Sequence, residues 1–408
     1  MQDHQLYAQI LGITAPWHVA RVELHLADGD VDAYLEHEPG IQFPCSKCGE
    51  PAALYDHQPS RSWRHLDTCQ YRTLVHTEPL RTSCPVDGVL TVRLPWAEPN
   101  SRFTALFESL AIDWLKVASQ SAVARNLHLS WDEMHVIMER AVRRGLERRK
   151  VETIDRLAID ETAARRGHRY LTVVNDGEHV LFVSEDRTKA SLDSFWTTLS
   201  PEQLAGIEAI SMDMWEPYLN SIRANVPGAD QKIVFDKFHI AKHLNAAIDR
   251  VRRQEHKALR AVGDRSLVGT KHQWLRNPRS FSADAWRAFG PLRSSTLKTA
   301  RAWGIKELFM EFFAYSYEKP ARGFFKRWYY WATHSRLEPM IAIARMIKAR
   351  FENIITYLKR PVTNAIAESL NAKIQWAKYT ARGFRNTANL ISAIYFHCGG
   401  LDLKPKPT

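Results

Sequence analysis

The sequence predicts a multidomain α/β protein: a mixed, buried sheet at the centre, an all-helical block inserted before its last helix, and two small modules in front. Three observations carry this. Residues 155–255 alternate short apolar runs with helical stretches; residues 256–350 are helical, polar and rich in tryptophan; and four of the five cysteines fall within residues 41–96. At 408 residues the chain is long enough for two or three domains.

The central region has the most informative order. RLAID (156–160) is an apolar run ending in an acid, and YLTVVND and HVLFVSEDR follow it, separated by Asp176-Gly177, a two-strand turn signal. A helical stretch from about Lys189 to Leu204 leads into IEAISMD (207–213), a buried strand again ending in an acid. A helix starts near Pro217, and KIVFD (232–236) is a further strand with an acidic end. Three antiparallel strands followed by strand–helix alternation predict a mixed sheet covered on both faces. RNase H-like nucleases and recombinases use that order.

Composition narrows the partners. The formal net charge is +11, which suits a polyanion. An odd number of cysteines in a long chain fits a reducing, cytoplasmic compartment, MQDHQLYAQI has no secretory character, and no apolar run is long enough to span a membrane.

Open α/β sheets bind ligands beyond the carboxyl ends of their strands. Asp160 and Asp213 end two apolar strands there, with Asp236 a rival for the second place. A third acid is expected from a helix in PVTNAIAESLNAKIQWA, where Ile366, Leu370, Ile374 and Ala377 form an apolar stripe and Asn364, Glu368, Asn371 and Gln375 a separate polar face. Carboxylate clusters select Mg2+ or Mn2+, and two such ions can clamp the attacking and leaving oxygens of a phosphoryl transfer.

Ahead of the core, Cys45-x-x-Cys48 has the spacing of a zinc knuckle, and Cys84 lies 36 residues on. Asp87 sits at the same x-x spacing from Cys84 and is favoured as the fourth zinc donor over His57, His65 and Cys69. Residues 119–146 read as a helix-turn-helix: a helix over 119–127, a turn at His128–Leu129, and a second helix opened by the capping box Ser130-x-x-Glu133. Met134, Ile137, Met138, Ala141 and Leu146 form its apolar stripe, leaving His135, Arg143 and Arg144 to face DNA. Trp274, Trp286, Trp303, Trp328 and Trp331 read mostly as the core of the helical block.

At WRHLDTCQYRT, the Cys-Pro-x-x-Gly at Cys84, PWAEPNSRFT, Asp160-Glu161-Thr162, SMDMWEPY, FDKFH and AESLNAKI…ARGFRN the chain resembles the ISL-three family of bacterial insertion-sequence transposases, of the DDE type. The resemblance covers nearly the whole chain. It implies catalytic acids at Asp160, Asp213 and Glu368, with Asp236 and His239 in a supporting Asp-x-x-His motif. Relatives usually carry histidine or cysteine where this chain has Asp87. The resemblance further implies metal-dependent cleavage of terminal inverted repeats and joining to target DNA, by a homodimer or larger assembly on DNA. The expected divisions are N-terminal strands (1–40), a zinc-ribbon-like module (41–97), the helix-turn-helix (98–150), the first part of the RNase H-like core (151–255), the helical insertion (256–355), and the last core helix with a C-terminal helix (356–400).

Overall fold

The computed structural model describes residues 3–150, 153–165, 169–235, 237–359, 365–384 and 386–406, with the backbone course alone at positions 3, 165, 169 and 365–368. The chain forms two bodies, residues 1–150 with 376–408, and residues 151–375.

In the first body, α1 (Asp3–Leu11) precedes β1 (Trp17–His25), β2 (Asp30–His37), β3 (Phe43–Pro44), β4 (Pro51–His57), β5 (Arg61–Thr68), β6 (Tyr71–Thr77), β7 (Leu80–Cys84) and β8 (Gly88–Thr91). They make two sheets, ordered β1-β2-β6-β5 and β3-β4-β7-β8. The expectation of a separate strand region over 1–40 is corrected twice. The chain opens on a helix, and β2 pairs in parallel with β6 from the following segment. The reason is shared burial: Val31, Ala33 and Leu35 alternate inward on β2, and Ala33 and Leu35 share a core with Val75 of β6 around Trp17, Trp63 and Trp96. Three helices follow, α2 (Ala105–Leu115), α3 (Gln120–Asn126) and α4 (Trp131–Arg148). Ser130 and Glu133 form the reciprocal capping box that starts α4, and His128 turns the chain at φ +54°.

The second body is built on β9 (Arg156–Arg165), β10 (Arg169–Asn175), β11 (Val180–Glu185), β12 (Ala209–Met212) and β13 (Ile233–Phe235), in the order β11-β10-β9-β12-β13. The first three are antiparallel neighbours, while β12 runs parallel to both β9 and β13. Crossovers α5 (Lys189–Trp196), α6 (Pro201–Gly206), α7 (Glu216–Asn225) and α8 (Ala229–Lys232) cover the sheet. The single helix expected over 189–204 is two, because Ser200 caps a new helix at Pro201.

The helix α9 (Lys237–Ala261) runs through the expected boundary at 255/256, burying Ile240, Leu244, Ile248 and Val251. It leads into α10 (Lys271–Leu275), α11 (Ala283–Arg293), α12 (Lys298–Met310), α13 (Glu318–Thr333), α14 (Glu338–Ala349) and α15 (Phe351–Lys359). One apolar core joins this block to the sheet. Trp274 and Trp328 lie within it, donating to Thr270 Oγ1 and the Ile305 carbonyl, whereas Trp331 is partly exposed. The chain ends in α16 (Ala365–Thr380) and α17 (Thr387–Cys398).

The expected 356–400 segment is divided rather than whole. The second body takes α16 as far as Gln375, and α17 belongs to the first, against α4. There Gly145 meets Leu401 so closely that a Cβ would lie 2.6 Å from the Leu401 Cβ. Among the described residues no helix is long and apolar enough to cross a membrane.

Candidate active site and metal cluster

β9 does not stop at Asp160, as the apolar pattern suggests, but runs on to Arg165 against β10. Its parallel neighbour β12 ends at Met212, so Asp160 stands where β9 loses that partner. Ser211 is level with Ala158, and extending that register one residue past the end of β12 brings the chain to Asp213, beside Asp160. Two carboxylates thus stand at one rim of the sheet.

Each is held. Asp160 Oδ1 accepts the Glu161 N–H at 2.7 Å, and its Oδ2 accepts Asn371 Nδ2 of α16 at 2.6 Å. One turn on, Gln375 Nε2 donates to Thr162 Oγ1 at 3.4 Å, so α16 covers the face bearing residues 160 and 162. The buried stripe on its other side is Leu370, Ile374 and Ala377. Asp213 lies 3.3 Å from His239 Nδ1 and 3.5 Å from His243 Nε2, both on α9, and its Oδ1 accepts the Met214 N–H. Burial opposes its charge, but the two imidazoles and that N–H outweigh burial and hold the carboxyl far below the usual range. Of the other sites expected here, Asp236 and the side chain of Glu368 lie outside the described residues.

Sequence reasoning passed over His243, although its i+4 spacing from His239 on a helix was a signal for it. It also missed Glu161, which points to the opposite face and pairs with Arg187 Nη1 at 3.3 Å. Arg187 in turn packs over the rings of Tyr170 and Trp215 at 4.4 and 4.6 Å. Burial raises the Glu161 carboxyl, Arg187 pulls it down, and the charges of Asp160 and Asp213 push it up again. Three carboxylates therefore share one electrostatic neighbourhood.

In the first body, Cys45, Cys48, Cys84 and Asp87 bring one donor atom each within 4.8 Å of all the others. The knuckles lie between β3 and β4 and between β7 and β8. Cys48 and Cys84 are 3.6 Å apart at sulfur, and Asp87 Oδ2 is 3.7 Å from Cys45 and 4.0 Å from Cys84. Disulfide sulfurs would be about 2 Å apart. A tetrahedron with Zn–S bonds of about 2.3 Å has edges of about 3.8 Å, which this donor set fits. Lys47 Nζ holds the other Asp87 oxygen at 2.7 Å and, with the thiols' contribution, keeps the carboxyl below its usual range. The alternatives are elsewhere. His57 stacks on His37, His65 is buried with its Nδ1 2.9 Å from Thr104 Oγ1, and Cys69 is exposed in the β5–β6 turn.

On α4, Arg143 is exposed, while His135 packs on Trp131 and lies 3.1 Å from Glu139. Arg144 is a correction. Its guanidinium is buried, bonded to Glu98 at 2.6 Å, to Glu108 at 2.8 Å and to the Leu403 carbonyl. A guanidinium with every partner internal is a strut of the helical bundle rather than a DNA contact.

A helix-turn-helix beside a paired cysteine knuckle, with acids at the rim of a mixed sheet, defines the class of a DNA-processing enzyme. Comparison with known proteins agrees in all three parts. A family model described as transposase, of the ISL3 type, matches residues 157–394; the helix-turn-helix domain of the same family matches 92–142; and a zinc finger of insertion-sequence transposases matches 42–87. The chain belongs to the ISL3 transposase family. It is 26% identical to the transposase for insertion sequence element IS1557 of Mycobacterium tuberculosis, over 96% of this chain and 95% of that protein. To the transposase for insertion sequence element IS1001 of Bordetella parapertussis it is 27% identical, over 95% and 96%.

Proposed function

We propose that the chain is a DNA transposase that binds the terminal inverted repeats of its own element, cuts the DNA ends and joins them to a target. The second body is read as an RNase H-like core, supported by its strand order, with Asp160, Asp213 and Glu368 as the acids holding Mg2+ or Mn2+. The observation that carries this reading is the 2.6 Å bond from Asn371 to Asp160. Position 368 precedes Asn371 by three, the spacing of neighbours on one helix face.

The donors suit hard divalent ions: one carboxylate on β9 and one just past the end of β12, the latter kept ionised by imidazoles. Bound there, such ions would supply charge neutralisation at the attacking and leaving oxygens. The chain's own residues orient and poise. Asn371 fixes the second oxygen of Asp160, and His239 and His243 hold Asp213 as carboxylate, with Asp236 assigned to support them. In the first step water attacks phosphorus and the P–O bond to the departing 3′-oxygen breaks, leaving a 3′-hydroxyl. In the second that hydroxyl attacks a target phosphodiester and a target 3′-oxygen leaves. Two ends must be joined, so the working complex holds at least two copies. The front-end cluster is assigned to structural zinc, and the protein to the bacterial cytoplasm.

The test is cleavage and strand transfer on duplexes carrying the DNA that borders the coding region. Wild type with Mg2+ should give both nicked and joined products. Asp160→Asn, Asp213→Asn and Glu368→Gln should each lower cleavage by about a thousandfold and leave binding intact. A variant that keeps more than a few per cent of activity removes its residue from the trio. Nicks without joined product make the protein a nuclease of the same fold.

A further inference from the structure

The contacts of α4 divide it into two ends of different chemistry. At the C-terminal end the arginines are spoken for: Arg140 by Glu108, Arg144 by Glu98 and Glu108, and Arg148 by Asp402, leaving Arg143. The N-terminal end opens onto a groove of about 650 Å3 between the helix-turn-helix turn and β5, lined by Arg61, Ser62, Arg72, Arg102, His128 and Glu133. Arg72 is neutralised by a two-pronged pair with Asp30. Arg61 and Arg102 are exposed and have no acidic partner among the described residues. Arg61 donates to the Ser101 carbonyl at 3.3 Å, which braces its guanidinium without cancelling its charge.

The groove has rigid walls. The segment carrying Arg102 runs beside β5 as an extra rung, with the Arg64 N–H donating to the Arg102 carbonyl at 2.9 Å and the Thr104 N–H to the Arg64 carbonyl at 3.0 Å. Thr104, which caps α2, is tied to buried His65. Sheet and helical bundle therefore present one fixed surface. Arg61 also lines a second groove of about 440 Å3 that reaches Arg93 and Ser46, the latter within the first cysteine knuckle. A basic, hydroxyl-bearing track thus leads from the start of α4, where helix-turn-helix proteins read bases, along the edge of the sheet.

We propose that Arg61 and Arg102 grip the phosphate backbone of the duplex that α4 reads, so that the N-terminal sheet is itself a DNA-binding surface. The proposal rests on the reading that the helix-turn-helix binds duplex DNA. Its partner is set by chemistry: guanidiniums without acidic partners and serine hydroxyls suit phosphodiester oxygens and carry no base preference.

The test is fluorescence-anisotropy titration of the full chain against salt, with one duplex from DNA bordering the coding region and a random duplex of equal length. Arg61→Ala and Arg102→Ala should each flatten the slope of log affinity against log salt by about 0.9, and by about twice that together. The preference between the two duplexes should stay as in wild type. Arg61→Lys with Arg102→Lys should restore the slope, and Arg72→Ala, already neutralised by Asp30, should leave it unchanged. An unchanged slope in the double alanine variant, with wild-type melting behaviour, overturns the assignment. So does an equal loss in Arg72→Ala, which would trace the effect to the sheet's integrity. If the wild-type chain binds neither duplex, the DNA-binding reading falls first and this proposal with it.

Discussion

The cysteine cluster draws its four donors from two short turns, each contributing residues three apart in sequence. The acid rim draws its groups from β9, the end of β12, α9 and α16, segments separated by scores of residues. The cluster closes on itself: three thiols and one carboxylate turn their donor atoms toward one another, and Lys47 occupies the remaining Asp87 oxygen. The rim is open, with Asp213 partly exposed and its neighbours imidazoles and amides. A closed sulfur-rich set suits a structural ion, and an open oxygen-rich rim leaves room for a substrate. On the proposed roles, a holding site is specified locally, while a working site needs the whole sheet.

Three experiments would break or sharpen that contrast. The largest effect is expected in the front end. Cys84→Ser should remove most of the roughly 10 kcal/mol with which such sites bind zinc, seen as lost zinc on mass spectrometry and a loosened first body. Asp87→Ala should weaken retention under mild chelation and Asp87→His preserve it. Retention unchanged in Asp87→Ala, but lost in His57→Ala or Cys69→Ala, would undo the closed cluster.

Acid should separate the two bodies next. Burial, aided by Arg64, pushes His65 down to about 4 from its ordinary 6.5. A group depressed in the folded state stabilises it above the unfolded value, and that stability drains as pH falls toward the folded one. The front end should therefore lose up to about 3 kcal/mol between pH 6.5 and 4. Asp213, also depressed, begins to withdraw its contribution only below its ordinary 3.8. Thermal melts from pH 7 to 4 should show the front end weakening first, and His65→Gln should reduce that slope. A core that melts first reverses the order of the two bodies.

The smallest effect belongs to Asn371→Ala. Losing the amide that orients Asp160 should lower cleavage by about ten- to a hundredfold, as loss of groups behind metal ligands does. KM for DNA and the melting temperature should stay near wild type. An effect on KM alone would make Asn371 a binding residue instead.

Local chemistry was legible in the sequence. Asp176-Gly177 marked the β10–β11 turn, Ser130-x-x-Glu133 marked the start of α4, and the polar spacing of Asn371 and Gln375 marked the face that meets β9. The fate of Arg144 was not. Helical spacing put it off the apolar stripe, and nothing nearby in sequence announced Glu98, Glu108 or the Leu403 carbonyl, which arrive from far along the chain. The extent of β9 was equally hidden, because apolar alternation fades after Asp160 while pairing with β10 continues through backbone groups alone.

What the sequence determined by itself is therefore whatever a few consecutive residues can decide: turn chemistry, caps, cysteine knuckles, the period of each strand and helix, and the acids that end apolar runs. Those depend on backbone preference and short-range hydrogen bonding. Only the tertiary structure decided that β2 would pair with β6, that Asp213 would come beside Asp160, that His243 would join His239, and that Arg61 and Arg102, without acidic partners among the described residues, would stand near the N-terminal end of α4. Each is a matter of which distant surfaces are buried together, and the apolar faces that drive such burial carry no address for their partners.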